Sequence, residues 1–169
     1  MIYQEGALEQ NQISPSLKKN PQNIWVPVTS SGEPQHYPEK GHAVDLDFEA
    51  QSFWHQHRKN CIVQSINNFP PVGTQPLVDL GGGSGFIGHA LKQEGYNAYL
   101  LEPNPQGAKK GLARGLENVI CATFKDCHFQ PHSISAYGLF DVIEHIEKDK
   151  DYITQLHESL VPGGKIYLT

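Results

Sequence analysis

The 169-residue chain is long enough for one domain with a hydrophobic core, and its composition excludes fibrous, repetitive and collagen-like proteins. A formal net charge of −5 argues against a nucleic-acid-binding surface, and no apolar stretch approaches the roughly 20 residues that cross a bilayer. The sequence shows no signal-peptide pattern, and its three cysteines do not have the number or spacing typical of a disulfide-stabilised protein. We therefore expect a soluble, cytoplasmic protein in a reducing compartment, without membrane insertion.

The first 45 residues are predicted to be a polar, partly disordered leader. They are rich in Pro, Asn, Gln, Ser and Gly, with a short apolar island at residues 24–28 that could dock as an edge strand. Over residues 46–68 the apolar positions recur at helical spacing, and PPVG then breaks the pattern. The sequence therefore predicts an amphipathic helix at the start of a domain that covers residues 46–169.

From residue 76 onward, short apolar strands alternate with helices. Helices are predicted at about 86–93 and 148–160, and strands at 77–80, 98–101, 118–122, 134–139 and 165–169. This alternation predicts an α/β fold with a doubly wound, mostly parallel sheet. Such sheets bind ligands at the carboxyl ends of their strands, and a glycine-rich turn follows the first strand there.

The turn LVDLGGGSGFIG, residues 77–88, has five glycines within eight residues. Glycine is needed where the backbone takes positive φ or where a Cβ would collide with a ligand. Two registers fit the turn: a dinucleotide fingerprint on Gly83, Gly85 and Gly88, and an acid-led pattern on Asp79, Gly81, Gly83 and Gly85. Glu102 ends the next strand, where a carboxylate can accept both ribose hydroxyls of a nucleoside cofactor.

Three successive segments resemble the motifs of class I S-adenosylmethionine-dependent methyltransferases. They are VDLGGGSG, LLEPN and GLFDVIEHIEKDKDYITQLHESLVPGGKIYLT, and the resemblance covers about residues 53–169. The preceding SFWHQHRKNCIVQSI is similar to the FWF-x-x-R helix of one branch of that family. The resemblance implies a Rossmann-like methyltransferase fold, S-adenosylmethionine as cofactor and methyl transfer to a small-molecule acceptor.

The resemblance also implies the residues that contact the cofactor: Asp79, Gly81, Gly82, Gly83, Gly85, Glu102, Pro103, Thr123, Phe124, Phe140 and Asp141. Asp79 would lie near the methionyl amino group, directly or through water, and Glu102 would hold the ribose. Thr123 and Phe124 would contact adenine. Residues 140–141 would lie beside the methionyl chain.

Three further residues are expected near the reacting groups. Trp54 and Arg58 share one face of the leading helix, which by resemblance closes over the cofactor. His145, in DVIEHI, is the candidate general base, needed only if the acceptor must first lose a proton. Each has a structural alternative: Trp54 could anchor the helix, Arg58 could be solvated, and His145 could brace the next helix.

The chain departs from the family pattern at three points. Ser135 stands where an acid usually begins the fourth strand, and Gly82 stands where many relatives have cysteine. The family fold also continues through two further strands, whereas this chain stops at Thr169. We expect an N-terminal piece or a natural minimal form, truncated after the fifth strand.

Other readings of the sequence stay open. An NAD(P)-dependent oxidoreductase would use the same glycines and Glu102. A non-catalytic S-adenosylmethionine-binding module would keep the cofactor pocket and lack the acceptor site. An unpaired edge of the fifth strand would be open to a partner strand or a homodimer. No metal site is predicted, because His55 and His57 point nearly opposite ways on a helix and the cysteines lack C-x-x-C spacing.

Overall fold

A computed structural model describes residues 13–29 and 46–169 of the chain. One sheet contains β1 (Leu17–Lys19), β2 (Trp25–Pro27), β3 (Leu77–Leu80), β4 (Ala98–Leu101), β5 (Val119–Ile120), β6 (Ile134–Leu139) and β7 (Leu160–Leu168). The order across it is β1-β2-β5-β4-β3-β6-β7, and only the β1–β2 pair is antiparallel. The predicted doubly wound, mostly parallel α/β fold is confirmed.

Helices connect the parallel strands. Their bounds are α1 (Leu46–Gln51), α2 (Phe53–Asn68), α3 (Phe86–Gln93), α4 (Pro105–Ala113), α5 (Phe124–Cys127) and α6 (Asp149–Ser159), with a 3-10 helix at Ile143–His145. The helix predicted at residues 46–68 is divided at Ser52, whose backbone is extended. Within the described ranges, no helix combines the length and the apolar character needed to cross a lipid bilayer.

The central strands are almost continuously apolar because helices cover both faces of the sheet. All residues of β3, β4 and β6 are buried, as expected of parallel strands between two helical layers. Successive side chains point to opposite faces. Leu77 therefore packs with α2 and α3, whereas Val78 packs with Tyr137 and Leu156 on the other face.

The apolar island forms β2, but it is not the edge strand that we predicted. β2 pairs with β5 on one side and with β1 on the other, and Cys121 N donates to Trp25 O at 2.8 Å. β1 was missed because Leu17 is its only buried side chain, which is too little to show a pattern. The sheet thus extends into the predicted leader, whose residues 1–12 and 30–45 lie outside the described residues.

Two elements between the later strands also differ from prediction. α4 was missed because its buried positions include Gly107, Ala108 and Gly111, which give a weak apolar period. Its start carries a recognisable signal, since the Asn104 side chain accepts from Gln106 N at 2.8 Å and proline follows the cap. The last strand, predicted at residues 165–169, begins earlier as β7, and its pairing with β6 is irregular between Ile134 and Ala136.

Candidate functional site

The glycine turn lies at the carboxyl end of β3, where the chain order of the sheet reverses. β4 and β5 lie on one side of β3, and β6 and β7 lie on the other. Gly81, Gly83 and Gly85 all have positive φ, at 65°, 56° and 74°, and Gly85 caps the start of α3. The turn therefore borders the crevice in which open α/β sheets bind their ligands.

Asp79 is a buried acid directly beneath this turn. It is 1% exposed, and its Oδ2 accepts from Gly88 N at 2.9 Å. Its Oδ1 is buried and has no hydrogen-bond partner among the described residues. Burial, helped by the neighbouring charge of Glu102, raises the pKa of Asp79 from 3.8 to about 7 against the opposing hydrogen bond from Gly88. A buried oxygen without a partner is suited to a ligand that donates hydrogen bonds.

Gly82 lies so close to Asp79 that a side chain at this position would require Asp79 to shift. A Cβ at this position would lie 2.4 Å from Asp79 Oδ2 and 2.7 Å from Leu100 Cδ1. The cysteine that many relatives carry here would therefore displace the acid. Glycine instead of cysteine at position 82 thus agrees with the close packing of Asp79 against the turn.

Glu102 connects the end of β4 to the glycine turn. Its Oε2 accepts from Gly83 N at 2.8 Å, and its Oε1 accepts from Asn104 N at 2.7 Å. The residue is 1% exposed, and burial raises the pKa of its carboxyl from 4.5 to about 6 although both backbone N–H groups oppose the shift. Each oxygen keeps a further lone pair for a ligand hydroxyl.

Gly107 leaves the space that Glu102 occupies beside the glycine turn, although the sequence did not mark it as a site residue. A Cβ at Gly107 would lie 2.7 Å from Glu102 Cγ and 2.8 Å from Gly83 O. The available signal was a glycine five residues after Glu102, inside a segment that begins with a helix-starting Asn-Pro. A missing side chain on α4 therefore lets the acid and the turn approach each other.

Gly107→Ala is expected to destabilise the fold by about 1–3 kcal/mol, because overpacking outweighs the gain of up to about 1 kcal/mol that alanine usually brings to a helix. Urea unfolding measures the change. Gln106→Ala, at an exposed position of the same helix, is the control and should change stability little. A Gly107→Ala protein at least as stable as wild type would show that Gly107 is not needed for packing.

Two cavities, each of about 170 Å³, meet at Gly81. We name them the acidic cavity and the apolar cavity. The acidic cavity is lined by Glu49, His55, Arg58, Asp79, Gly81, Gly82, Gly83, Ser84, Phe86, Ile87 and Phe140. The apolar cavity is lined by Leu80, Gly81, Leu101, Pro103, Ala122, Thr123, Phe124, Lys125, Val142, Ile146 and Tyr152. Most of the residues predicted to contact a cofactor thus line these two cavities.

Of the remaining predicted residues, Gly85, Glu102 and Asp141 line neither cavity. Arg58 lines the acidic cavity, and its Nη2 pairs with Asp141 Oδ2 at 2.7 Å. Trp54 is 66% exposed and lines neither cavity. His145 is exposed on the 3-10 helix and also lines neither, although its neighbours Val142 and Ile146 line the apolar cavity.

A nearly buried ion pair, missed by the sequence analysis, fastens α1 to the glycine turn. Arg114 Nη2 pairs with Glu49 Oε2, and the two side chains are 11% and 14% exposed. Ser84 Oγ donates to the same Glu49 oxygen at 2.6 Å, and Arg114 Nε donates to Ser84 O at 3.2 Å. The partners lie 65 residues apart. No local pattern in the sequence could indicate that they meet.

Arg114→Met is expected to release α1 from the turn, because Glu49 would otherwise keep a nearly buried charge without its partner. Undocking of this short helix limits the loss of global stability to about 2 kcal/mol, below the roughly 3–5 kcal/mol of a fully buried pair. Hydrogen exchange should rise in residues 46–51. Glu117→Gln, which breaks an exposed pair with Lys92, is the control. Unchanged exchange in α1 would contradict the account.

Within residues 13–29 and 46–169, no three His, Cys, Asp or Glu side chains are grouped to hold a metal ion. A larger groove, of about 450 Å³, lies between α5 and α6 and shares Phe124 and Lys125 with the apolar cavity. It includes neither the glycine turn nor Asp79. The two cavities at Gly81 therefore form the candidate site.

Solved structures share this fold. A SAM-dependent methyltransferase of Leishmania major is 21% identical with a TM-score of 0.55, covering 66% of this chain and 50% of that one. A Pyrococcus horikoshii protein is 16% identical with a TM-score of 0.62, covering 72% and 56%. A SAM-dependent methyltransferase of Bacteroides fragilis, solved with S-adenosylhomocysteine, is 19% identical with a TM-score of 0.51, covering 62% and 44%. At these identities the likeness shows the fold.

The chain spans about half the length of these structures. A search of curated proteins gave no significant match. A family described as a methyltransferase domain matches residues 78–168, from β3 to the end of β7. Because the match covers more than half of the 169 residues, the chain belongs to the methyltransferase-domain family.

Proposed function

We propose that this chain is an S-adenosylmethionine-dependent methyltransferase, or the cofactor-binding part of one. The observation that carries the proposal is a pair of buried acids, Asp79 and Glu102, that both accept hydrogen bonds from the glycine-rich segment, with two cavities beside that segment, one of them lined by Asp79. Family membership and the S-adenosylhomocysteine bound in the Bacteroides fragilis relative agree with it. The site suits a ligand that has hydroxyls in its middle and a positive charge at one end.

The adenosine half would occupy the apolar cavity. Pro103, Thr123 and Phe124 would contact the adenine there. Glu102 would accept hydrogen bonds from the two ribose hydroxyls through the lone pairs that Gly83 N and Asn104 N leave available. Because those two N–H groups fix the carboxylate, little conformational freedom remains to be lost on binding.

The amino-acid half would occupy the acidic cavity. Asp79 Oδ1, buried and without a partner in the described chain, would accept a hydrogen bond from the ligand's ammonium group, directly or through water. The Phe140 ring lines the same cavity and would pack beside the methionyl chain. Asp141 follows it, held by Arg58. These groups fit the charge and size of an amino acid.

This arrangement favours an adenosyl amino acid over a nicotinamide dinucleotide. Both ligands offer a ribose to Glu102, so that residue does not distinguish them. The pyrophosphate of a dinucleotide would bring negative charge to a turn that already has Asp79 and Glu102 beneath it, and like charges repel strongly where water is excluded. A cationic ligand would instead offset the unfavourable free energy of burying the negative charge of Asp79.

S-adenosylmethionine supplies a methyl group on a positively charged sulfur, so the chain's task is to hold that methyl in line with an acceptor. Positioning alone can contribute about 7–11 kcal/mol to lowering a barrier. His145 stays a prediction for the acceptor-side base, and Trp54 and Arg58 stay predictions for the closing helix. We propose a small-molecule acceptor because the chain is acidic and has no basic tract.

The test is transfer of radiolabelled methyl from S-adenosylmethionine to a panel of small oxygen, nitrogen and sulfur nucleophiles. Labelled product is expected with the wild-type chain, and much less with Glu102→Gln at cofactor concentrations that do not saturate the variant. Binding of the cofactor without transfer to any acceptor would mean that this chain is a cofactor-binding unit alone, either one part of a methyltransferase or a non-catalytic S-adenosylmethionine-binding module.

A further inference from the structure

His55 is a titratable side chain in the acidic cavity with no role in the predictions above. It lies in FWHQHR at the start of α2, where the FWF-x-x-R pattern has its third aromatic residue. Its ring lines the cavity that Asp79 and Arg58 also line, and it packs edge-on against Phe48 with a centroid separation of 5.9 Å. The chain thus carries an imidazole where the FWF-x-x-R pattern that this segment resembles has an apolar ring.

The surroundings of the ring determine which of its nitrogens carries a proton. Nδ1 is buried and has no hydrogen-bond partner among the described residues, so Nε2 is the nitrogen available to the cavity. A proton on Nδ1 would be a buried donor without an acceptor, which is costly, whereas a proton on Nε2 can be given to a ligand. The favoured neutral form therefore offers the cavity an N–H donor. It does not offer the lone pair that a general base needs.

Arg58 provides a second donor on the same side of the cavity. It follows His55 by three residues on α2, so the two side chains share a helix face. The Arg58 guanidinium contacts Asp141 and Thr169 through Nη2, and its other N–H groups can serve a ligand. Glu49 also lines the cavity, but Arg114 and Ser84 already hold its carboxylate. Two donors that line one cavity suit an anionic group.

We propose that His55 Nε2–H, beside Arg58, binds the carboxylate at the amino-acid end of the adenosyl ligand, while Asp79 binds its ammonium group. This inference rests on the proposed function and adds a specificity-determining residue to it. His55 would make the site select ligands that keep the whole amino acid over 5′-thioadenosines that lack it.

Isothermal titration with two ligands tests the proposal. S-adenosylhomocysteine has the amino acid, and 5′-methylthioadenosine has the same nucleoside and thioether without it. His55→Phe, which restores the aromatic residue of the family pattern, is expected to weaken S-adenosylhomocysteine about 10-fold or more and to leave 5′-methylthioadenosine unchanged. His57→Phe is the control, since His57 is exposed, stacks on Phe53 and does not line the cavity.

Equal effects of His55→Phe on both ligands, or no effect on either, would overturn the role of His55 while leaving the proposed function in place. Binding of neither ligand to the wild-type chain would overturn the proposed function itself. A second measurement needs no variant: nitrogen-15 NMR of the wild-type imidazole should show His55 protonated on Nε2. A proton on Nδ1 in the free protein would contradict the proposal.

Discussion

Glu102→Gln is expected to weaken the binding of S-adenosylhomocysteine about 100-fold without unfolding the chain. The carboxylate accepts from Gly83 N and Asn104 N and would also accept from two ribose hydroxyls. An amide has one accepting oxygen, and its NH₂ group would face one of those N–H donors. Hydrogen bonds to a charged group contribute roughly 1.5–3 kcal/mol each, so losing two costs about 3 kcal/mol or more, close to 100-fold in affinity.

Isothermal titration at pH 8 measures this effect, because Glu102 is then ionised with its pKa of about 6. Glu117→Gln is the matched control: the same chemical change at an exposed acid away from both cavities. Thermal unfolding of each variant checks that the fold is kept. A Glu102→Gln chain that binds as tightly as wild type would show that another group holds the ribose.

Asp79→Asn is expected to stabilise the free protein at pH 8 and to remove part of its pH dependence. The pKa of Asp79 rises from 3.8 to about 7 in the folded chain, so between these values the folded state binds more protons than the unfolded state. The contribution of Asp79 to the free energy of unfolding is therefore fully present below about pH 4 and is lost as the pH rises towards 7. At about 1.4 kcal/mol per pKa unit, the loss amounts to roughly 4 kcal/mol at most.

Urea unfolding of wild type and Asp79→Asn at several pH values between 4 and 8 measures this linkage. The variant should gain stability relative to wild type as the pH rises, and its affinity for the adenosyl ligand should fall because an amide cannot balance the ammonium charge. Glu102, whose pKa is raised to about 6, remains in both proteins, so only the part of its titration that the charge of Asp79 changes enters the difference. A stability difference that is independent of pH would mean that Asp79 is ionised at low pH in the folded chain.

Elements with one strong local pattern could be predicted from the sequence. β3, α3, β4 and β6 have the predicted bounds, because buried parallel strands and an amphipathic helix leave clear apolar patterns. The positions of the glycine turn and Glu102 at the carboxyl ends of β3 and β4 were also predictable, because the pattern of short apolar strands locates those ends. Their contact with a cofactor stays a prediction. The same reasoning indicated the carboxyl edge of the sheet as the site.

The rest depends on contacts between distant segments. The ion pair of Glu49 with Arg114 joins residues that look like ordinary surface charges in the sequence. The need for glycine at Gly82 and Gly107 appears only when Asp79 and Glu102 are seen to pack against them. In the sequence, His55 was considered only in an H-x-H pattern that predicts no metal site, and only the structure shows that the residue lines the acidic cavity.

The central claim is that the two cavities at Gly81 together bind one adenosyl amino acid. Isothermal titration of the wild-type chain with S-adenosylmethionine and S-adenosylhomocysteine, and with NAD and NADP as controls, tests it most directly. We predict saturable binding of both adenosyl ligands at one site per chain and none of the dinucleotides. Binding of a dinucleotide without binding of either adenosyl ligand would contradict the claim.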